Sequence, residues 1–251
     1  MRCPTSFRAT LMSLLRAAAL TDIGRVRRNN EDRFLCDEAL GLFGIADGVG
    51  GLPGGAEAAQ HTVDEIVAGM HAVAPGHEPN LTALVHQINE SVALLGQKIS
   101  PSMGIGTTLT FGYVRDGVFK LAHVGDSRAY LFRKGEFFRL TEDHSVENEA
   151  RMRRAKGEVV YYHEANRNAL TRCIGQPTPP DVDLILRPMA VGDRYLFCTD
   201  GVTRMIPDSE LGELLAAVDT PDEAVRGIVS LAVRRGGPDN ATAVIVFVDE
   251  F

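Results

Sequence analysis

The 251-residue sequence has no tryptophan, only 6% aromatic residues and just four cysteines, Cys3, Cys36, Cys173 and Cys198. The cysteines form neither a C-x-x-C pair nor a Cys/His pattern at zinc spacing, so they read as reduced thiols of a cytoplasmic protein. Long apolar runs are also missing. Arg2 and Arg8 precede an N-terminal apolar stretch, but Arg16 interrupts it, so secretion is not expected. No other segment approaches the roughly 20 apolar residues of a membrane helix. Positive charge is in deficit: the net charge of -7 sets a field that repels nucleic acid and anionic membranes, and neither is expected as a partner.

What is present is 45% hydrophobic residues and 25 glycines. That composition predicts one domain, residues 1–251, with many tight turns and a core of Ala, Val, Leu and Ile; a chain of this length buries about three quarters of its unfolded surface. Residues 17–23 and 33–47 read as strands around the polar turn GRVRRNNED, followed by the glycine-rich loop DGVGGLPGG. Apolar residues at three- and four-residue spacing predict helices over 56–70 and 81–99. TTLTFGYV, GVFKLAHVGD, SRAYLFR and EFFRLT then read as a meander of antiparallel strands. Residues 145–172 are polar and weakly periodic, and are expected to form a mobile flap over the surface rather than a core element. Strand patterns return at 182–187 and 194–199. Thr220, Pro221 and Glu223 supply an N-cap, an N1 proline and a capping-box glutamate for a helix to about Arg235, and ATAVIVFVDE closes the chain as a strand. Strands and helices grouped in this way predict an α+β fold.

Four aspartates occupy related places. Asp47 follows LFGIA, Asp200 follows YLFCT, Asp126 lies in VGDSR and Asp239 in GGPDN. Taken singly, each is ordinary turn chemistry. If the strand ends converge, the four carboxylates repel one another unless protonated or neutralised by cations. Oxygen-only ligands with no His or Cys in these motifs favour Mg²⁺ or Mn²⁺.

The motifs TDIGRVRRNNED, ADGVGG, GTTLT, HVGDSRAYL, LTEDHS, NRNALTRCIG, CTDGV and GPDNAT, in this order, resemble the PPM family of metal-dependent protein serine/threonine phosphatases, type 2C, in its compact bacterial form. Any one motif is weak; eight in family order are specific, and they span about residues 20–248. The resemblance implies a four-layer α-β-β-α sandwich of two antiparallel sheets flanked by helices. It implies two tightly held Mn²⁺ or Mg²⁺ ions. Asp47 would bridge them, the carbonyl of Gly48 would bind the second, and Asp200 and Asp239 would complete the shell of the first. Glu31 and Asp32 match an acidic pair that holds metal-bound waters, and Arg27 matches the arginine that grips the substrate phosphate. Asp126 matches a ligand of a weaker third metal, whose water is a candidate proton donor to the leaving group. The catalytic set is therefore Arg27, Asp32 and Asp47, and the reaction is in-line attack by a metal-activated water without a covalent intermediate. Phosphorylated proteins, a Ser/Thr kinase and its targets, are the expected partners of a monomer.

Two departures stand out: Val49 and Leu52 occupy loop positions where relatives carry histidine, which removes the usual imidazole proton donor. His144 remains, with a structural role as the alternative. His61, His71, His77 and His86 read as surface histidines, and the sequons at Asn80 and Asn240 carry no meaning in a cytoplasmic chain. A different chemistry is also written into the chain, since Cys198 to Arg204 fits the C-x5-R spacing of cysteine-dependent phosphatases. Against it, Cys198 continues an apolar strand, Phe197 precedes it, and Asp200 would place negative charge in the phosphate cradle. A phosphopeptide-binding pseudophosphatase is the non-enzymatic alternative, opposed by the retention of all four aspartates.

Overall fold

The strand pattern of the first fifty residues divides into three strands in a computed structural model, which describes residues 15–50, 53–74 and 76–249. The start of the N-terminal apolar stretch, Cys3 and Leu52 lie outside the described residues. β1 (Leu15–Asp22), β2 (Asp32–Asp37) and β3 (Leu42–Asp47) appear near the expected places. The 33–47 stretch folds back on itself as a hairpin, because the Asp37 carboxylate accepts the Leu40 N–H at 2.9 Å and Gly41 takes φ 61°.

Two amphipathic helices follow, α1 (Gly55–Ala72) and α2 (Leu81–Ile99), the second opened by Asn80, whose side chain accepts the Ala83 N–H at 3.0 Å. Next come β4 (Leu109–Arg115), β5 (Val118–Val124), β6 (Arg128–Arg133) and β7 (Glu136–Arg139), then α3 (Val146–Ala155), β8 (Asp183–Pro188) and β9 (Arg194–Cys198). The chain continues through α4 (Asp200–Thr203), α5 (Asp208–Ala216) and α6 (Pro221–Arg234) to β10 (Ala241–Val248). Thr220 accepts the Glu223 N–H at 3.2 Å, the capping arrangement read from the sequence.

The strands form two five-stranded antiparallel sheets, ordered β1-β10-β9-β6-β7 and β2-β3-β4-β5-β8. The expected meander is therefore divided: β4 and β5 lie in one sheet, β6 and β7 in the other. Six of the seven β4 residues and all eight of β10 are buried. Strands covered on both faces read as apolar runs, which carry no information about their neighbours. Between the sheets lie Phe43, Ile45, Phe119, Leu121, Leu131, Tyr195, Phe197 and Val246, with Phe119 edge-on to Tyr195 at 4.5 Å. α1 and α2 cover one outer face through Ile66, Val85, Ile88 and Val92, and α5 and α6 cover the other through Leu211, Leu215, Ile228 and Ala232. The result is the α-β-β-α order of an α+β sandwich.

The 145–172 stretch is less irregular than its composition predicts. Its first third is α3, capped by Ser145, with Glu147 and Glu149 in the first turn and Arg153 and Arg154 in the last, charges that complement the helix dipole. Only Asn148 and Ala150 of this helix are buried. No helix among the described residues is long and apolar enough to cross a membrane.

Candidate active site

The β2–β3 hairpin sets the centre of the site through its register. Asp32, first in β2, faces Asp47, last in β3, as a direct cross-strand pair. Thr107 and Thr108 then fix the Asp47 backbone: the Thr108 hydroxyl accepts its N–H at 3.0 Å, and the Thr107 hydroxyl and Thr108 N–H both donate to its carbonyl at 2.8 Å. Gly48 follows, where an added Cβ would lie 2.5 Å from the backbone of Gly55; only glycine lets the loop pass so close to the start of α1.

Asp200 starts α4 at the end of β9, and Asp239 stands just before β10. These two segments touch, because a Cβ on Gly201 would lie 1.9 Å from the Asn240 carbonyl oxygen. Asn240 extends the contact to the β1–β2 loop. Its amide donates to the Ile23 carbonyl at 2.9 Å and the Asn29 carbonyl at 3.0 Å, while its Oδ1 accepts the Glu31 N–H at 2.8 Å. Arg27 and Glu31 ride on that loop. Together with Asp47, Gly48, Val49, Asp126, Asp200, Arg204 and Asp239 they line an open cavity of about 360 Å³. Asn168, Ala169, Leu170 and Cys173 form another wall.

Asp32 lies beneath this cavity, only 2% exposed. Its Oδ2 accepts the hydroxyls of Thr199 at 2.9 Å and Thr242 at 2.6 Å, whereas its Oδ1 is buried without any hydrogen-bond partner. Burial raises its pKa to about 7 against the lowering pull of those two hydroxyls. Burial also pushes Asp126 up to about 7, with Asp200 adding to the rise and Arg204 opposing it. Asp47 is driven well above the carboxylate range by burial and then by Asp32, Asp200, Asp126 and Asp239. Burial lifts Glu31 and Asp200 too, opposed by Arg27 and Arg204 respectively.

The six carboxylates thus share one low-dielectric end of the sandwich with two guanidiniums. Arg27 donates to Asp239 Oδ2 at 2.7 Å, and Arg204 pairs with Asp200 while lying 3.5 Å from the same Asp239 oxygen. Among the described residues no three His, Cys, Asp or Glu side chains are already closed around a common point. The chemistry of the donors nevertheless fits hard divalent cations. All are oxygens, one buried oxygen is orphaned, and the burial and mutual repulsion that raise these pKa values are offset by a bound cation.

The histidines and cysteines belong elsewhere. His144 Nδ1 accepts the Gly125 N–H at 3.0 Å, its Nε2 lies 3.3 Å from Asp183, and its ring packs on His123 at 4.7 Å, so it braces the loop that carries Asp126. His61, His71, His77 and His86 are exposed or half-exposed and lie away from the cavity. Cys198 is fully buried and burial pushes its thiol up to about 12, which removes it as a nucleophile. Sequence reasoning missed the supporting residues: Thr199 and Thr242 under Asp32, Asn240 between the loops, and Arg204 in the cavity wall. TDGV and PDNAT contain three of these four, but nothing in a threonine or asparagine beside a turn marks it as a brace.

A sequence model described as Protein phosphatase 2C matches residues 18–181. Serine/threonine protein phosphatase PstP of Mycobacterium tuberculosis is 34% identical over 246 residues, 97% of this chain, which spans only 47% of that protein's length. Serine/threonine phosphatase stp of Listeria monocytogenes is 30% identical over 234 residues, 90% of this chain and 93% of that protein. These matches extend past residue 181, where the family model stops short of Asp200 and Asp239. The catalytic domain of PstP, solved in complex with 2 manganese ions, has a TM-score of 0.81 at 31% identity over 94% of this chain and 99% of that one.

Proposed function

Because the chain belongs to the protein phosphatase 2C family, we propose that it hydrolyses phosphoserine and phosphothreonine esters in proteins, with water as nucleophile and two Mn²⁺ or Mg²⁺ ions as cofactors. The observation that carries this reading is the convergence of Asp47, Asp126, Asp200 and Asp239 with Arg27 on one cavity, above the orphaned oxygen of Asp32.

In this reading Asp47 and the Gly48 carbonyl stand at the centre of the metal set, Asp200 and Asp239 complete it, and Asp126 serves a weaker third site. When bound, the ions supply Lewis acidity, which makes water nucleophilic at neutral pH and polarises the phosphoryl oxygens. Glu31 and Asp32 would accept hydrogen bonds from waters held by such a centre. Asp32 is suited to this by its geometry, since Thr199 and Thr242 fix one oxygen and leave the other free. Arg27 reaches in from an exposed loop, so its planar fork can turn from Asp239 to two phosphoryl oxygens of the incoming ester. Gly50 leaves it room, since a Cβ there would lie 3.0 Å from the guanidinium. No histidine is among the described residues lining the cavity, so the leaving oxygen receives its proton from a group other than imidazole.

We take residues 1–251 as one catalytic domain, monomeric and cytoplasmic, acting on a Ser/Thr kinase and its targets. The four cysteines lie far apart in the chain, which supports a reducing compartment. The deciding experiment is a phosphatase assay on a phosphothreonine peptide and on p-nitrophenyl phosphate, titrated with Mn²⁺ and repeated with EDTA. Activity should appear with metal and vanish with chelator; full turnover in metal-free buffer would overturn the metal reading.

A further inference from the structure

With the cysteine nucleophile excluded, the arginine of the same motif is left without a role. Arg204 follows α4 one turn after Asp200, and its N–H donates to the Asp200 carbonyl at 2.8 Å. That turn brings the guanidinium back over the cavity, where it pairs with Asp200 and approaches Asp239. Its charge also favours the ionised form of Asp126. An exposed i,i+4 ion pair serving only a helix would engage one carboxylate. Arg204 touches two, Asp200 and Asp239, and lines the same cavity as Asp126, while Arg27 bonds Asp239 from the other side.

Three carboxylates on one flank need positive charge, and two kinds of cation can supply it: a diffusible ion or a tethered side chain. We propose that Arg204 is a built-in cation for the Asp126, Asp200 and Asp239 flank, in competition there with a weakly held divalent ion. The inference rests on the metal centre proposed above. A side chain tethered within reach acts at an effective concentration of about millimolar or more and raises the apparent dissociation constant of any ion it displaces by the same factor, so an ion whose own constant is already millimolar is lost while a tightly held one stays bound. Exposure of the Arg204 side chain, 39%, lets it swing away when an ion does bind. The chain would in this way keep the charge balance of a third metal without depending on metal supply.

The test is Mn²⁺ binding to the chelator-stripped full chain, by titration calorimetry and by counting free Mn²⁺ in electron paramagnetic resonance. Compared with wild type, Arg204→Gln should tighten the weakest Mn²⁺ site by about tenfold, and adding Asp126→Ala should erase that gain. An Arg204→Gln isotherm that superimposes on wild type, or a gain that survives Asp126→Ala, overturns the proposal. Should Arg204→Gln fail to give a cooperative thermal melt, Arg204→Lys takes its place. With no planar fork to span two carboxylates, it must shift the weak site in the same direction. A wild-type protein that binds no Mn²⁺, or an Asp47→Asn variant that binds it unchanged, would instead refute the metal centre itself.

Discussion

The carboxylate end of the sandwich and the 145–172 arm share one cavity but are held in opposite ways. At the carboxylate end each acidic residue stands at, or within two residues of, a strand or helix terminus, and buried threonine hydroxyls, the Asn240 amide and backbone bonds fix the surroundings. The arm buries two residues of α3 and relies on exposed pairs such as Arg151 with Glu142 and Arg153 with Glu158. Surface pairs of this kind contribute about 0–1 kcal/mol each. Its inner end is firmer, since the Val146 N–H donates to the Ala169 carbonyl and the Glu147 N–H to the Arg167 carbonyl, both at 3.0 Å. Under the proposed function, chemistry that tolerates little misplacement would sit on the rigid side, and the loosely held arm would be the side that adapts to a protein substrate.

The sharpest contrast between the two regions comes from removing one carboxylate. Asp239→Asn should lower metal-dependent kcat/KM on a phosphothreonine peptide at least about a hundredfold, the loss expected when a metal ligand worth roughly 3 kcal/mol of transition-state stabilisation is removed. Cys198→Ser, assayed in parallel, should stay within about twofold of wild type. The reverse order would restore the cysteine chemistry.

The boundary between the regions is set by His123, which is fully buried, donates from Nε2 to the Glu142 carbonyl at 2.9 Å and lies 2.8 Å from the Thr110 hydroxyl. Burial, reinforced by His144, depresses its pKa to about 4, below its ordinary 6.5. The folded state therefore binds fewer protons than the unfolded state between those values. Stability from this group is complete above pH 6.5 and is lost as pH falls toward 4, by about 3 kcal/mol in all. Denaturant melts across that range should show the acid limb, and His123→Gln should flatten it; an unchanged limb would assign it to other groups.

A smaller effect is expected from Gly201→Ala, whose methyl group collides with the Asn240 carbonyl. It should destabilise by about 1–3 kcal/mol and weaken Mn²⁺ binding together. A thermal melt that moves while the Mn²⁺ isotherm stays put would uncouple the two segments.

The smallest effect belongs to the arm. Replacing Arg151, Arg153, Arg154 and Lys156 by glutamine should reduce kcat/KM on a phosphoprotein by roughly three- to tenfold, the scale of 1 kcal/mol, and leave p-nitrophenyl phosphate hydrolysis nearly unchanged. Equal losses on both substrates would end the view of the arm as a selector.

Local signals in the chain specify its elements unevenly. α2, with a clean 3–4 periodicity, is legible to the residue, and its Asn80 cap shows only in the structure. α3 is not, since it is marked by the Ser145 cap and graded charges and, with only Asn148 and Ala150 buried, has no apolar spacing to show. α5 likewise follows Pro207 with Asp208 and Glu210 in its first turn, and it went unread. Turn aspartates were visible as a set, but the division of the meander between two sheets was not, since a strand buried on both faces shows no alternation.

By itself the sequence determined most of the strands, the helices α1, α2 and α6, the acidic character of the strand ends and, through eight ordered motifs, the family. Those are properties of short stretches, where propensity, spacing and residue chemistry act over a few residues. Only the tertiary structure decided that Asp32 faces Asp47 with one oxygen unpaired, that Asn240 fastens the Arg27 loop to the Asp239 segment, and that Arg204 rather than Cys198 enters the cavity. These depend on contacts between residues as many as 217 positions apart, and no local pattern records which distant backbone will supply the partner of a buried polar atom.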